Sequence, residues 1–283
     1  LLRMFVEIEN TRYEIAKTFP GLNFFSGYNF RVVLHLSNLL PVLFFKGKHE
    51  FYRAIAAHIL EKLSSMPDDK IKFCLNETLK TNKLTLPKEL AYLETGFLYP
   101  MFLYYVIRIL KPKVLVETGV HNGRSTSFIL QALSDNKKGK LYSIDIGHNI
   151  VYDSESGVQD VAFPSNLEPG WLIPSNLKTK WEFIQGDSNK LLPELLNKLK
   201  TIDFFSHDGE HTDSAMLFEY EESYKYLKNN GILMSDDVLF GDDTIPSTGL
   251  LSDVPHYSSW LNFTKDFENH IINFRVGYMI KKT

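Results

Sequence analysis

Val114-Leu115-Val116-Glu117-Thr118-Gly119-Val120-His121-Asn122-Gly123-Arg124-Ser125-Thr126 is the stretch that decides the fold. A short apolar run ends in an acid, passes two glycines four residues apart, and enters a segment with helical spacing from Ser125 to Leu133. An apolar run bounded by turn residues reads as a buried strand. The glycines let the backbone turn tightly and approach a ligand without a Cβ in the way. The helix start brings unsatisfied N–H groups to the same place. Glycine is also ordinary in any turn, so the turn alone does not identify a ligand.

The same rhythm repeats on both sides. A helix fits Leu98 to Leu110 and stops at Lys111-Pro112. Further strands fit Leu141–Asp145, Trp181–Gln185, Ile202–His207 and Ile232–Ser235, with a helix at Asn189–Leu199. Thr212 is placed to cap a helix whose Leu217, Tyr220, Tyr224 and Leu227 share a face, with Asn230-Gly231 as its end. The tail from Ile271 to Lys282 can supply a final strand pair. Strands alternating with helices predict an α/β fold, a Rossmann-like, mostly parallel seven-stranded sheet with helices on both faces.

Residues 1–95 have a different character and are expected to form a helical accessory or cap region, with residues 96–283 as the second unit. Phe51, Ile55, Ile59 and Leu63 recur every four residues, which puts them on one helix face. The apolar run Val32–Phe45 contains His35 and Pro41 and is shorter than the ~20 residues that span a bilayer, so it reads as a buried helix or a pair of short helices broken at Pro41, with a membrane-surface or acyl-binding segment as the alternative. The connection Gly147–Lys178 is long for a compact domain and is expected to be a loop or lid beside the site.

Hydrophobic residues are 44% and charged residues 23% of the 283, which excludes a disordered or low-complexity chain. Lys+Arg 31 against Asp+Glu 34 leaves a net charge of -3, without the basic footprint of a nucleic-acid binder. One cysteine, Cys74, excludes an internal disulfide or a multi-cysteine metal site and reads as structural. There is no signal-peptide pattern, so a cytoplasmic setting is expected.

Two patterns carry chemistry. Asp145 closes the second strand 22 residues beyond Gly123, the spacing at which an acid holds ribose hydroxyls in nucleotide-binding folds. The turn reads G-x-x-x-G after an acid, not G-x-G-x-x-G; Glu117 would repel a pyrophosphate and suits a ligand with an ammonium group. Gly186-Asp187-Ser188 follows the third strand at the same sheet edge, where Asp187 serves equally well as a helix N-cap. His207-Asp208-Gly209-Glu210-His211 ends the fourth strand and Ser235-Asp236-Asp237 the fifth. Parallel neighbours lie ~4.8 Å apart, so these carboxylates would converge, which a hard cation such as Mg²⁺ would compensate. Asp208, Asp236 and Asp237 are therefore candidate metal ligands, whereas Asp242 and Asp243 read as solvated loop acids.

In this order, Val116-Glu117-Thr118-Gly119-Val120, Gly123-Arg124-Ser125-Thr126, Ser143-Ile144-Asp145, Gly186-Asp187-Ser188, His207-Asp208-Gly209-Glu210-His211 and Ser235-Asp236-Asp237-Val238 resemble a class I S-adenosylmethionine-dependent methyltransferase. The likeness is greatest to the branch of metal-dependent sugar and macrolide O-methyltransferases and cephalosporin-hydroxylase-like proteins, and it covers Gly96 to Lys282. The resemblance implies that Glu117, Thr118, Gly119, Gly123, Ser125 and Thr126 form the methionine side of a cofactor site, with His207 beside them. It implies Asp145 at the ribose, and Gly186, Asp187 and Ser188 near the adenine. Asp208, Asp236 and Asp237 match the branch's Mg²⁺ positions, and Glu210 departs from its usual D-G-D. Asp208 or His211 would accept the proton from a small-molecule hydroxyl. No nucleic-acid or membrane partner is expected, and the accessory region leaves a homo-oligomer open. The rival readings are a cofactor-binding protein of the same fold with no reaction or a different one, and an NAD-dependent oxidoreductase.

Overall fold

The strands form where the apolar runs lie: β1 (Val114–Thr118), β2 (Lys140–Asp145), β3 (Trp181–Gln185), β4 (Ile202–His207), β5 (Leu227–Ser235), β6 (Asn269–Ile272) and β7 (Val276–Ile280). The helices are α1 (Asp68–Thr81), α2 (Leu98–Leu110), α3 (Arg124–Asp135), α4 (Ser188–Leu199), α5 (Asp213–Tyr226) and α6 (Pro255–Thr264), with a 3₁₀ turn at Ser175–Lys180. This computed structural model describes residues 60–61, 63–81, 98–147, 168–238, 255–272 and 276–282. The Val32–Phe45 run, most of the helix expected around Phe51, Ile55 and Ile59, residues 148–167 of the long connection, and Asp242 with Asp243 lie outside the described residues. Among the described residues no helix is long and apolar enough to cross a membrane.

The sheet order is β3-β2-β1-β4-β5-β7-β6. β1 pairs parallel with β2 and with β4, β2 with β3, and β4 with β5. β7 is antiparallel to both β5 and β6, so the tail supplies the expected strand pair. The chain leaves β1 toward β2 and β3, then returns to the other side of β1 with β4. That reversal makes the β1–β4 gap the topological switch point, where open α/β sheets bind their ligands.

Strand alternation builds two cores, because successive side chains point to opposite faces. Leu115, Leu141, Phe204 and Met234 pack with α1, α2 and α3 on one face. Val116, Ile144, Phe205 and Leu233 pack with α4, α5 and α6 on the other. Arg108 of α2 binds Asp68 of α1 (2.5 Å) and the Tyr104 hydroxyl (2.7 Å), which ties α1 to the first face. Buried Leu63, Ile71 and Cys74 complete that contact.

One boundary departs from the periodicity. The helical face was expected to run through Leu227 to Asn230-Gly231, but α5 ends at Tyr226 and β5 starts at Leu227. Leu227 takes an extended backbone and pairs with Ile202, and the N–H of Asn230 donates to the Lys281 carbonyl. Backbone pairing with β4, continued by the tail at Asn230, outweighs the helical spacing of a single leucine. By contrast Thr212 caps α5 as expected, accepting from the Ala215 N–H.

Phe204 is fully buried in the face that carries α2 and α3. Phe204→Ala is expected to cost about 3–5 kcal/mol. The check is a urea unfolding curve with a lowered midpoint and an unchanged slope.

Candidate active site at the sheet switch point

The carboxyl ends of β1 and β4 meet with almost no space between them. Thr118 pairs with His207, and the Asp208 N–H donates to the Thr118 carbonyl (2.9 Å). Gly119 sits at φ 82°, and a Cβ built there would lie 1.8 Å from the Asp208 carbonyl oxygen. Only glycine fits, for the conformation and for the contact. Gly123, at φ 84°, begins α3. A Cβ on Gly123 would lie 2.7 Å from Gly170 Cα and 2.6 Å from Ile173 Cγ1. The Gly170 and Leu172 N–H groups donate to the His121 and Asn122 carbonyls (2.8 and 2.9 Å). The described end of the long connection therefore lies directly on the glycine turn.

Glu117 is fully buried on the face of α3. Its Oε2 accepts from the Thr126 hydroxyl (2.9 Å) and the Ser143 hydroxyl (2.8 Å), and Ser125 Oγ lies 3.4 Å from Oε1. The Trp181 indole N–H donates in turn to Ser143 Oγ (2.9 Å). Burial pushes the Glu117 carboxyl up to about 8, against the pull of its hydroxyl partners. An acid in this state gains most from a cation placed against it.

Asp145 faces the turn. Its Oδ2 accepts from the Val120 and His121 N–H groups (2.7 and 2.8 Å) and its Oδ1 from Gly147 N–H (2.8 Å). A carboxylate has about four lone-pair sites, so acceptor capacity remains for hydroxyls. Asp187 caps α4, accepting from the Asn189 N–H (2.9 Å), and Ser188 is the first helical residue. The Gly186 N–H donates to the Asp145 carbonyl (2.8 Å), which joins this turn to the end of β2.

Asp208 and Asp236 stand at neighbouring strand ends, and the Asp236 N–H donates to the His207 carbonyl (2.9 Å). Asp237 holds a left-handed φ of 48°. Burial, then Asp236, then Asp237 push the Asp208 carboxyl well above the usual carboxylate range. The three acids are thus close enough to repel. Even so, among the described residues no three His, Cys, Asp or Glu side chains are gathered so as to hold a metal ion. His211 is half-buried, with its ring edge-to-face on His207 at 5.4 Å.

Four further side chains complete this region. Tyr99, at the start of α2, binds Ser206 Oγ with its phenol, which lies 3.3 Å from the His207 carbonyl. Burial, then Asp208 and Asp236, push its phenol well up, so it stays neutral. Ser143 and Trp181 support Glu117, and Glu219 of α5 binds Thr118 and His207. Helical spacing marks Tyr99 as one more core aromatic. Glu219 stands beside Tyr220 on an apolar face, and that misplaced acid was the available signal.

The raised Glu117 predicts a stability slope. Its folded-state value of about 8 exceeds the value of ~4.3 in an unfolded chain. Between the two, the folded state holds a proton that the unfolded state has lost, so stability falls as pH rises through this window. Glu117→Gln is expected to remove up to about 1.4 kcal/mol per pH unit of that slope between roughly pH 5 and 8. Denaturant midpoints of both proteins across that range check it.

The family described as "Methyltransferase domain" matches residues 116–238, from mid-β1 to the residue after Asp237. The caffeoyl-CoA O-methyltransferase of Stellaria longipes is 26% identical over 189 residues, covering 65% of this chain and 69% of that protein. Among solved structures, an O-methyltransferase from Bacillus cereus in complex with S-adenosylhomocysteine is 17% identical, with a TM-score of 0.47 over 82% of this chain and all of that one. MycE methyltransferase of the mycinamycin pathway, solved with Mg, S-adenosylhomocysteine and mycinamycin VI, is 16% identical, with a TM-score of 0.43 over 66% of this chain and 50% of that one. The matched segment spans both strand ends of the switch point, so the residues that build this site lie within a segment similar to a methyltransferase domain.

Proposed function

We propose that the chain methylates a hydroxyl group of a small molecule, with a divalent cation such as Mg²⁺ assisting. The observation that carries this reading is the pairing at one switch point of a buried acid suited to an ammonium group, Glu117, with the crowded acids Asp208, Asp236 and Asp237. S-adenosylmethionine supplies an electrophilic methyl: the acceptor oxygen bonds to it, the C–S bond breaks with its electrons on sulfur, and the hydroxyl proton leaves.

The residues present fit that cofactor. Glu117 offers a desolvated carboxyl to the ammonium, with Thr126, Ser125 and Ser143 fixing its orientation. Gly119 and Gly123 keep the approach open, with Thr118 and His207 holding the strand ends beneath. Asp145 holds the turn by its amides and is assigned to the ribose. Gly186, Asp187 and Ser188 are assigned to the adenine end.

The acid cluster fits a hard cation by its chemistry. Mg²⁺ is commonly held by one or two carboxylates plus water and substrate oxygens, so it does not need three gathered side chains. Asp208, Asp236 and Asp237 are the assigned ligand set. A cation there would lower the pKa of an acceptor hydroxyl and orient it. Asp208 or His211 is assigned to take the proton, since both follow the end of β4 beside the acid cluster. Residues 96–283 form the cofactor-binding unit in this reading, and residues 1–95 cap it. The protein works as a cytoplasmic enzyme on a small-molecule acceptor.

Calorimetric titration with S-adenosylhomocysteine and separate titration with Mn²⁺ as a Mg²⁺ surrogate test both halves. Asp236→Ala should keep the first affinity and lose the second. Equal loss of both would remove Asp236 from the metal, and NAD⁺ binding in place of S-adenosylhomocysteine would overturn the cofactor reading.

A further inference from the structure

Behind the strand ends lies a buried polar group whose acid, Glu219, has no role in the reaction above. Glu219 and His207 are both fully buried, and Glu219 Oε2 lies 2.6 Å from His207 Nδ1. The same oxygen accepts from the Thr118 hydroxyl at 2.5 Å. With Glu219 ionised, this one oxygen accepts from both the Thr118 hydroxyl and His207 Nδ1–H. Among the described residues, the other carboxylate oxygen and His207 Nε2 have no hydrogen-bond partner.

Three elements converge on this pair. Thr118 ends β1 immediately before Gly119, and His207 ends β4 immediately before Asp208. Glu219 reaches both from α5, and a Cβ built on Gly209 would lie 3.6 Å from its Oε1. The His207 ring packs edge-to-face against Tyr220 at 5.5 Å and against His211 at 5.4 Å. The ring that Glu219 holds is thus the wall against which His211 rests.

We propose that Glu219 is a positioning residue for methyl transfer: it fixes the tautomer and orientation of His207, and the His207 ring sets the placement of His211 at the mouth of the site. This role rests on the methyltransferase reading for its purpose and on the buried geometry for its existence. A buried carboxylate that orients an imidazole in one tautomer is a general device for aiming a neighbouring group. A carboxylate present only to fill the core would be costly there, since an apolar side chain of similar shape would avoid the desolvation.

Long-range ¹H–¹⁵N spectra of the histidine side chains test it without a methyl acceptor. In the unaltered protein His207 should show a protonated, hydrogen-bonded Nδ1; an unprotonated Nδ1 overturns the proposal by itself, whatever any variant does. Glu219→Gln should shift the His207 signals and, with them, those of His211. Thr118→Val, which removes the other hydrogen bond to the same oxygen, should leave His211 near its original position. Matching His211 spectra in Glu219→Gln and the unaltered protein, or equal displacement in both variants, would reduce Glu219 to a packing role. S-adenosylhomocysteine affinity is measured alongside. If the unaltered protein fails to bind it, the methyltransferase reading falls while the histidine result still stands or fails independently.

Discussion

The carboxyl ends of β1 and β4 are packed so closely that the residue after β1 can carry no side chain, and the site depends on that contact. A Cβ at Gly119 would lie 1.8 Å from the Asp208 carbonyl oxygen. The turn must therefore be glycine, its backbone must be left-handed, and α3 must start where Gly123 releases it. The same contact brings the end of the turn strand beside the acids of β4 and β5. The proposed site for a cationic donor and the proposed site for a hard cation are thereby neighbours by topology before any side chain is chosen.

Strand alternation then assigns each polar residue a side. Glu117, Ser143 and Ser206 follow Leu115, Leu141 and Phe204 onto the face of α2 and α3. There they meet Thr126, Trp181 and Tyr99. Thr118, His207 and Ser235 follow Val116, Phe205 and Leu233 onto the other face. There they meet Glu219 and Tyr220. The ends of β1 and β4 thus carry polar links to helices on both faces of the sheet. Buried polar groups of this kind are costly unless paired, and most here are paired through hydroxyls and carboxylates. The pairing explains how a fully buried edge can hold so many ionisable groups.

The sheet was legible because its strands are short apolar runs between turn residues, and β3 and β4 fall where the runs do. The strand-end motifs were legible for the same reason, since each lies one residue beyond a run. Two kinds of information were not. The start of β5 depends on Leu227 pairing with Ile202 of β4, which local spacing around Leu227 cannot express. Tyr99 and Glu219 act through contacts made across the sheet, at separations of 107 and 101 residues from their partners. Asp187 shows a further limit: its N-cap role is visible in the geometry, and its place near a ligand depends on the site around it.

The most direct test of the account is a crystal structure of the chain grown with S-adenosylhomocysteine. The account places the ligand in the β1–β4 crevice, its amino-acid end against the Gly119 turn and Glu117, and its ribose at Asp145. Density for the ligand at another edge of the sheet, or a crevice closed by the Gly170–Ile173 segment with the ligand elsewhere, would contradict it.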